Sequence, residues 1–179
     1  MDTSHSSIRS LIGLLAVFLG ATTVASCDSL LSVREDDDPL IYRSSFETLV
    51  SVWAWKGVNG VERSNGACPG GGAYSGYVSG GCEGPHAYLD LPPSKRDRHL
   101  IIRFWAKVLE LQGHLEFAAL NTDQHIWITV NDTTWTHYPA SDTLFCPANR
   151  TLRITMGSGG IEPGAMLVDL MEVETVDVK

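Results

Sequence analysis

From residue 40 onward, apolar and polar side chains alternate with a period of two, and that period limits what the chain can fold into more than any other feature. Ile102, Phe104, Ala106 and Val108 are interleaved with Arg103, Trp105 and Lys107, and Leu115, Phe117 and Ala119 line one face of the next segment. Ile126, Ile128 and Val130 alternate with Trp127 and Thr129; Leu152, Ile154 and Met156 repeat the pattern, and Met166 to Val173 closes the chain as a last strand. A helix would place its apolar residues three and four apart, whereas a strand with one buried face alternates strictly. Further short strands are expected over Ile41–Glu47, Val50–Trp55, Tyr74–Ser79 and Ala87–Leu91, and alternation would put Trp53 and Trp55 on one face. The 17 Gly and 8 Pro supply turns, for example at Gln112-Gly113 and Gly157-Ser158-Gly159-Gly160. Roughly eight or nine strands separated by such turns, with no helical stripe between them, predict an all-β antiparallel sandwich. It forms one domain over residues 40–179, without internal repeats.

The N-terminal 26 residues read as a targeting segment rather than as part of the fold. Arg9 gives a positive start, and Leu11 to Gly20 is an apolar run too short to span a bilayer, which takes about 20 apolar residues. Val24-Ala25-Ser26-Cys27 follows and resembles the bacterial lipobox, which implies lipidation of Cys27 and cleavage just before it. The alternative is an ordinary secretory signal in which Cys27 is incidental. Residues 27–39, ending in Arg34-Glu35-Asp36-Asp37-Asp38-Pro39, are expected to be a solvated, lipidated tether. The expected location is the bacterial cell envelope, with the protein held to a membrane through Cys27. The net charge is −8; an acidic chain offers no footprint for nucleic acid and would be repelled by anionic headgroups.

With Cys27 assigned to lipid, Cys68, Cys82 and Cys146 remain. A Cys68–Cys82 disulfide would bracket the loop Cys68-Pro69-Gly70-Gly71-Gly72; in the chain-entropy description, closing about 15 residues is worth roughly 3 kcal/mol. Free thiols, or a pair that includes Cys146, are the alternatives. No Cys-x-x-Cys or His-x-x-x-His pair is present to nucleate zinc.

Phe46-Glu47 early in the domain, Tyr74-Ser75-Gly76-Tyr77 after a Gly-rich stretch, and the Leu100–Val108 strand come in an order that resembles carbohydrate-binding modules of the galactose-binding-like jelly-roll type. Ile128 to Tyr138 is similar to the Thr-rich strand of that family with its Trp, and Leu167-Val168-Asp169-Leu170 to its closing strand. The resemblance implies a jelly roll with Trp135 packed in the core beside Tyr138. It also implies a structural Ca²⁺ between Glu47 and Asp169, the early Glu and late Asp of the family pattern, with loop carbonyls completing the shell. A pair of solvent-facing carboxylates is the alternative.

Catalytic patterns are missing. There is no Glu-x-Asp-x-x-Glu strand, no Gly-x-Ser-x-Gly elbow, and Gly70-Gly71-Gly72 lacks the Gly-Lys-Ser/Thr of a phosphate loop. The expected protein is non-catalytic. Alternation places Trp105 with Arg103 and Lys107, and Trp127 likewise, opposite the apolar face. These indoles, with Glu116, are the expected glycan platform, since apolar sugar faces stack on aromatic rings while hydroxyls bond to charged neighbours. The alternative is that both indoles pack under a loop or in the core. The expected partner is a glycan or polysaccharide. A second class of function is a structural lipoprotein whose sandwich face binds another envelope protein.

Overall fold

The computed structural model describes residues 39–80, 87–139, 142–159, 162 and 164–177. The expected signal segment, Cys27, the tether before Pro39, and Cys82 lie outside the described residues. The strands are β1 (Leu40–Ser44), β2 (Glu62–Asn65), β3 (Tyr74–Gly80), β4 (Ala87–Leu91), β5 (Arg98–Glu110), β6 (Gly113–Ala119), β7 (His125–Val130), β8 (Thr136–Pro139), β9 (Leu144–Cys146), β10 (Leu152–Ser158) and β11 (Gly164–Val176), and a short helix, α1, covers Leu49–Trp53.

Two antiparallel sheets face one another. The larger runs β2-β3-β11-β5-β8, with β1 also paired to β11 and β9 to β5; the smaller runs β4-β10-β6-β7. The inward residues of each strand are those the alternation selects: Leu100, Ile102, Phe104 and Ala106 of β5 meet Leu115, Phe117 and Ala119 of β6 and Leu152, Ile154 and Met156 of β10, all essentially sealed from solvent. The Phe104 and Phe117 rings lie 6.2 Å apart across the sandwich. Each of the Leu, Ile, Phe and Met side chains among them stabilises the fold by about 1.5–3 kcal/mol relative to leaving it exposed, and together they clamp the two sheets. The antiparallel jelly-roll-type sandwich expected from the sequence is the fold observed.

Three local features depart from the sequence reading. Val50–Trp55 is not a strand: Thr48 caps α1 by accepting the Ser51 amide (3.4 Å), and the turn of helix sends Trp53 out to 71% exposure while Trp55 is buried. A capping hydroxyl at this position outweighs the β preference of a short Val-rich run. Second, β5 and β6 are consecutive but belong to different sheets. The chain passes between layers through Leu111 in the left-handed region (φ 54°). Third, β11 carries a bulge between Asp169 and Glu172, with Leu170 at φ 43°, which re-aims the strand next to Asp169.

The two ends of the domain leave from one pole. Leu40 of β1 is paired with Glu174 of β11, the Thr175 amide donates to the Pro39 carbonyl, and His99 at the start of β5 is opposite Val176.

Candidate functional site

Each sheet has a second, outer face, and the two faces are built differently. On the smaller sheet the register sets a row of side chains across all four strands: Tyr88 of β4, Thr155 of β10, Glu116 of β6 and Trp127 of β7. Lys56 extends the row beyond Tyr88 through an isolated bridge, with mutual backbone hydrogen bonds of 2.8 and 2.7 Å. Tyr88 and Trp127 are three strand spacings apart, about 14 Å. A neighbouring row holds Asp90, Arg153, Ala118 and His125.

The charged groups of this face are ordered. Arg153 donates to both oxygens of Asp90, from Nε at 2.7 Å and from Nη2 at 2.8 Å, and its guanidinium lies 4.4 Å from the centre of the Tyr88 ring. The hydrogen bonds from Arg153 hold the Asp90 carboxyl below the usual carboxylate range, and Asp90 in turn raises Arg153. Trp127 stacks on His114, with ring centres 4.5 Å apart and planes 11° from parallel, yet remains 55% exposed. An aromatic face open to solvent, hydroxyl and carboxylate acceptors at Thr155 and Glu116, and a fixed guanidinium form a shallow strip suited to an extended polar ligand with apolar patches.

The outer face of the larger sheet holds Trp105, Arg103 and Lys107 of β5, and there too these residues have partners inside the chain. Trp105 is half-buried against His137 of β8 (ring centres 5.3 Å, 44°). Arg103 is ion-paired with Glu174, and the Lys107 ammonium sits 5.1 Å from the centre of the Trp135 ring. Trp135 is therefore half-buried on this outer face and not in the core, because it precedes β8 on the side of Lys107; Tyr138 alone stacks on Phe104 (5.1 Å, 9°) at the core margin. Trp105 and Trp127 thus look out from opposite sides of the sandwich, and Glu116 stands directly beside Trp127 only. The expected single platform is two separate groups. Alternation fixes which face of its own strand a residue occupies, but not which sheet the strand joins.

Beside Trp105 the larger sheet is covered by the Gly-rich loop. Asp169, opposite Trp105 in register, is fully buried, accepting the Cys68 amide (3.1 Å) and its neighbour's, Leu170 (2.8 Å). Glu47 accepts the amides of Ala73 and Tyr74 at 3.0 and 2.9 Å through one oxygen, Oε1. A Cβ at Gly71 would collide with Asp169, and one at Gly72 would come within 2.6 Å of Glu47. Glycine is therefore required where the loop backbone approaches both carboxylates. Burial, with a further contribution from the Glu47 charge, raises the Asp169 carboxyl above its ordinary range. Carboxylate oxygens are among the hard donors that Ca²⁺ takes, and Glu47 and Asp169 are the two residues here that could hold one. Among the described residues no group of three acidic, His or Cys side chains forms, so the remaining donors would be carbonyls and water.

Cys68 has a free, buried thiol directed to the Pro69 carbonyl at 3.7 Å, and burial followed by the Asp169 charge pushes it up to about 12. Its expected partner Cys82 is outside the described residues. Cys146 is likewise free and buried.

Among solved structures, this fold is similar to the C-terminal family 22 carbohydrate-binding module of Clostridium thermocellum Xyn10B, with 17% identity, 78% of this chain and 96% of that chain covered, and a TM-score of 0.50. It is also similar to a xylan-binding domain from family 22, with 15% identity, 80% and 99% covered, and a TM-score of 0.51. No protein-family model matches the chain, and no curated protein matches it at a significant level. At these identities the likeness is one of fold, the carbohydrate-binding-module jelly roll.

Tyr88, Thr155, Asp90, Arg153 and His114 complete the strip and were not singled out in the sequence. Their signal was present in the alternation of Tyr88 and Asp90 with Ala87, Leu89 and Leu91, and of Arg153 and Thr155 with Leu152, Ile154 and Met156. What joins them is the β4-β10-β6-β7 order, which no local pattern encodes.

Proposed function

We propose that this domain is a non-catalytic glycan-binding module whose ligand lies across the strands of the smaller sheet, from Trp127 toward Tyr88. The observation that carries it is Trp127: a large indole, 55% exposed, in register with Glu116, Thr155 and Tyr88. Sugar rings stack on the open indole and on Tyr88, while Glu116, Thr155 and Arg153 bond to hydroxyls. The likeness to two family 22 modules, one described as xylan-binding and one by its ligand-binding cleft, supports the same reading. It also makes xylan the first polymer to try. The platform expected around Trp105, Arg103 and Lys107 is the less favoured face, since Trp105 is half-buried whereas Trp127 stands 55% exposed.

A Ca²⁺ held by Glu47 and Asp169 belongs to the same proposal. It would neutralise two mutually repelling carboxylates and fix the Gly-rich loop against β11, with no part in binding sugar. Cys27 would carry a lipid anchor, holding the module at the surface of a bacterial membrane.

A glycan-array screen of the purified protein tests the glycan reading, with Trp127→Ala as the control. Binding that is present in wild type and lost in Trp127→Ala supports it. Binding retained in Trp127→Ala removes the smaller sheet from consideration.

A further inference from the structure

The stack of His114 on Trp127 is supported from a third strand. His114 is opposite Thr129 in register, and Trp127 is opposite Glu116, so the two rings meet diagonally on one face of the β6–β7 ladder. On the other side of His114, β10 presents Gly157 directly opposite it. A Cβ at Gly157 would run into Cε1 and Nε2 of the imidazole. Gly157 is not among the glycines with positive φ, so its backbone could accommodate any residue. Glycine inside a strand weakens it and commonly marks the close approach of another group. Here the approaching group is the His114 ring.

We propose that His114 is a positioning residue: seated on bare backbone at Gly157, it holds the Trp127 indole in one orientation and leaves the opposite ring face for the ligand. This inference rests on the glycan reading of the smaller sheet. An exposed Trp on an edge strand would otherwise sample several rotamers, and ordering it on binding weakens affinity. A stacked partner supplies that order beforehand. The contact also responds to pH, because a protonated imidazole over an indole adds a cation–π attraction. Among the described residues, the other titratable or charged groups on this face are Glu116 on β6, His125 on β7, Arg153 on β10, Tyr88 and Asp90 on β4, and Lys56 at the edge.

The test uses the whole protein labelled with 5-fluorotryptophan, whose 5 Trp signals are read by ¹⁹F NMR without any ligand. The Trp127 signal is assigned by its loss in Trp127→Phe. It is expected to move between about pH 5 and 8, the range in which a histidine titrates, and to stop moving in His114→Phe. Gly157→Ala is expected to shift it to its position in His114→Ala. A Trp127 signal that does not titrate, or that titrates equally in His114→Phe, overturns the proposal.

Affinity electrophoresis on soluble xylan gives the second readout. His114→Ala should weaken retention about two- to tenfold, the range expected for one aromatic pair, and His114→Phe should restore it. Unchanged retention in His114→Ala also overturns the proposal. If wild type is not retarded by xylan, the failure is of xylan as ligand, and the NMR titration still decides the stack.

Discussion

The two outer faces of the sandwich are nearly interchangeable in composition and opposite in character. Each has a Trp beside a His from the neighbouring strand, Trp127 with His114 and Trp105 with His137, and each has an Arg in ion pairing, Arg153 with Asp90 and Arg103 with Glu174. On the smaller sheet Trp127 remains 55% exposed. On the larger sheet the Gly-rich loop seals Asp169 next to Trp105, and Lys107 is occupied by Trp135. The difference shows that an indole opposite a core face is only half of a binding platform. The other half is what the surrounding loops do with the neighbouring surface, and that comes from the topology.

Paired substitutions put the greatest strain on this contrast. Trp127→Ala should reduce glycan affinity at least about 30-fold, as for an anchor residue worth about 2 kcal/mol or more, with a loss of stability under about 1 kcal/mol. Trp105→Ala should leave affinity intact and cost about 1–3 kcal/mol on unfolding. Isothermal titration and denaturant melts on both variants decide, and the reverse outcome would exchange the roles of the two faces.

Calcium should act on the larger sheet alone. A metal that binds only the folded state at 100 times its dissociation constant adds about 2.7 kcal/mol, so the melting midpoint should rise with calcium, fall back with chelator, and show no response in Glu47→Gln. A midpoint unmoved by millimolar calcium would leave Glu47 and Asp169 as a carboxylate pair satisfied by backbone amides.

Acid titration separates the faces more finely, because their carboxyls are shifted in opposite directions. Asp90 is lowered by Arg153, so its contribution is complete above the ordinary carboxylate range and is lost as pH falls through its lowered value. Asp169 is raised by burial, so the metal-free fold loses stability as pH climbs from the ordinary carboxylate range through the raised one. Asp90→Asn should flatten the first limb, and saturating calcium should abolish the second. Carboxyl ¹³C shifts would show both directions, and a lowered Asp169 without metal would contradict this account.

The smallest expected effect is a silence. The Cys68 thiol, pushed up to about 12, should not react with a thiol reagent at pH 8 until the protein unfolds, since only the thiolate attacks. Rapid labelling of native protein at Cys68 would mean that the loop opens.

The inner face was legible because burial imposes a strict period: β4 and β7 match the expected strands over Ala87–Leu91 and His125–Val130, and β5 extends the expected Leu100–Val108 at both ends. Strands β2, β8 and β9 were not legible, since Glu62–Asn65, Thr136–Pro139 and Leu144–Cys146 are too short to display a period. For the candidate site, the outward orientation of Trp105 and Trp127 could be read and their separation could not. The turn around Leu111 looks like an ordinary hairpin in sequence, but it carries the chain from one layer to the other. Predicting that step requires knowing that β5 prefers β11, its partner some sixty residues away.

The meeting of Pro39 and Thr175 at one pole makes the domain a cassette. A host protein could receive it within a surface loop, because the two splice points are already adjacent and the host chain need not be stretched to reach them. The splice points belong to the larger sheet and the row from Trp127 to Tyr88 runs across the smaller one, so such a graft would leave the strip's sheet on the other layer. An enzyme or display scaffold of unrelated fold would then acquire the strip without any change to its own termini.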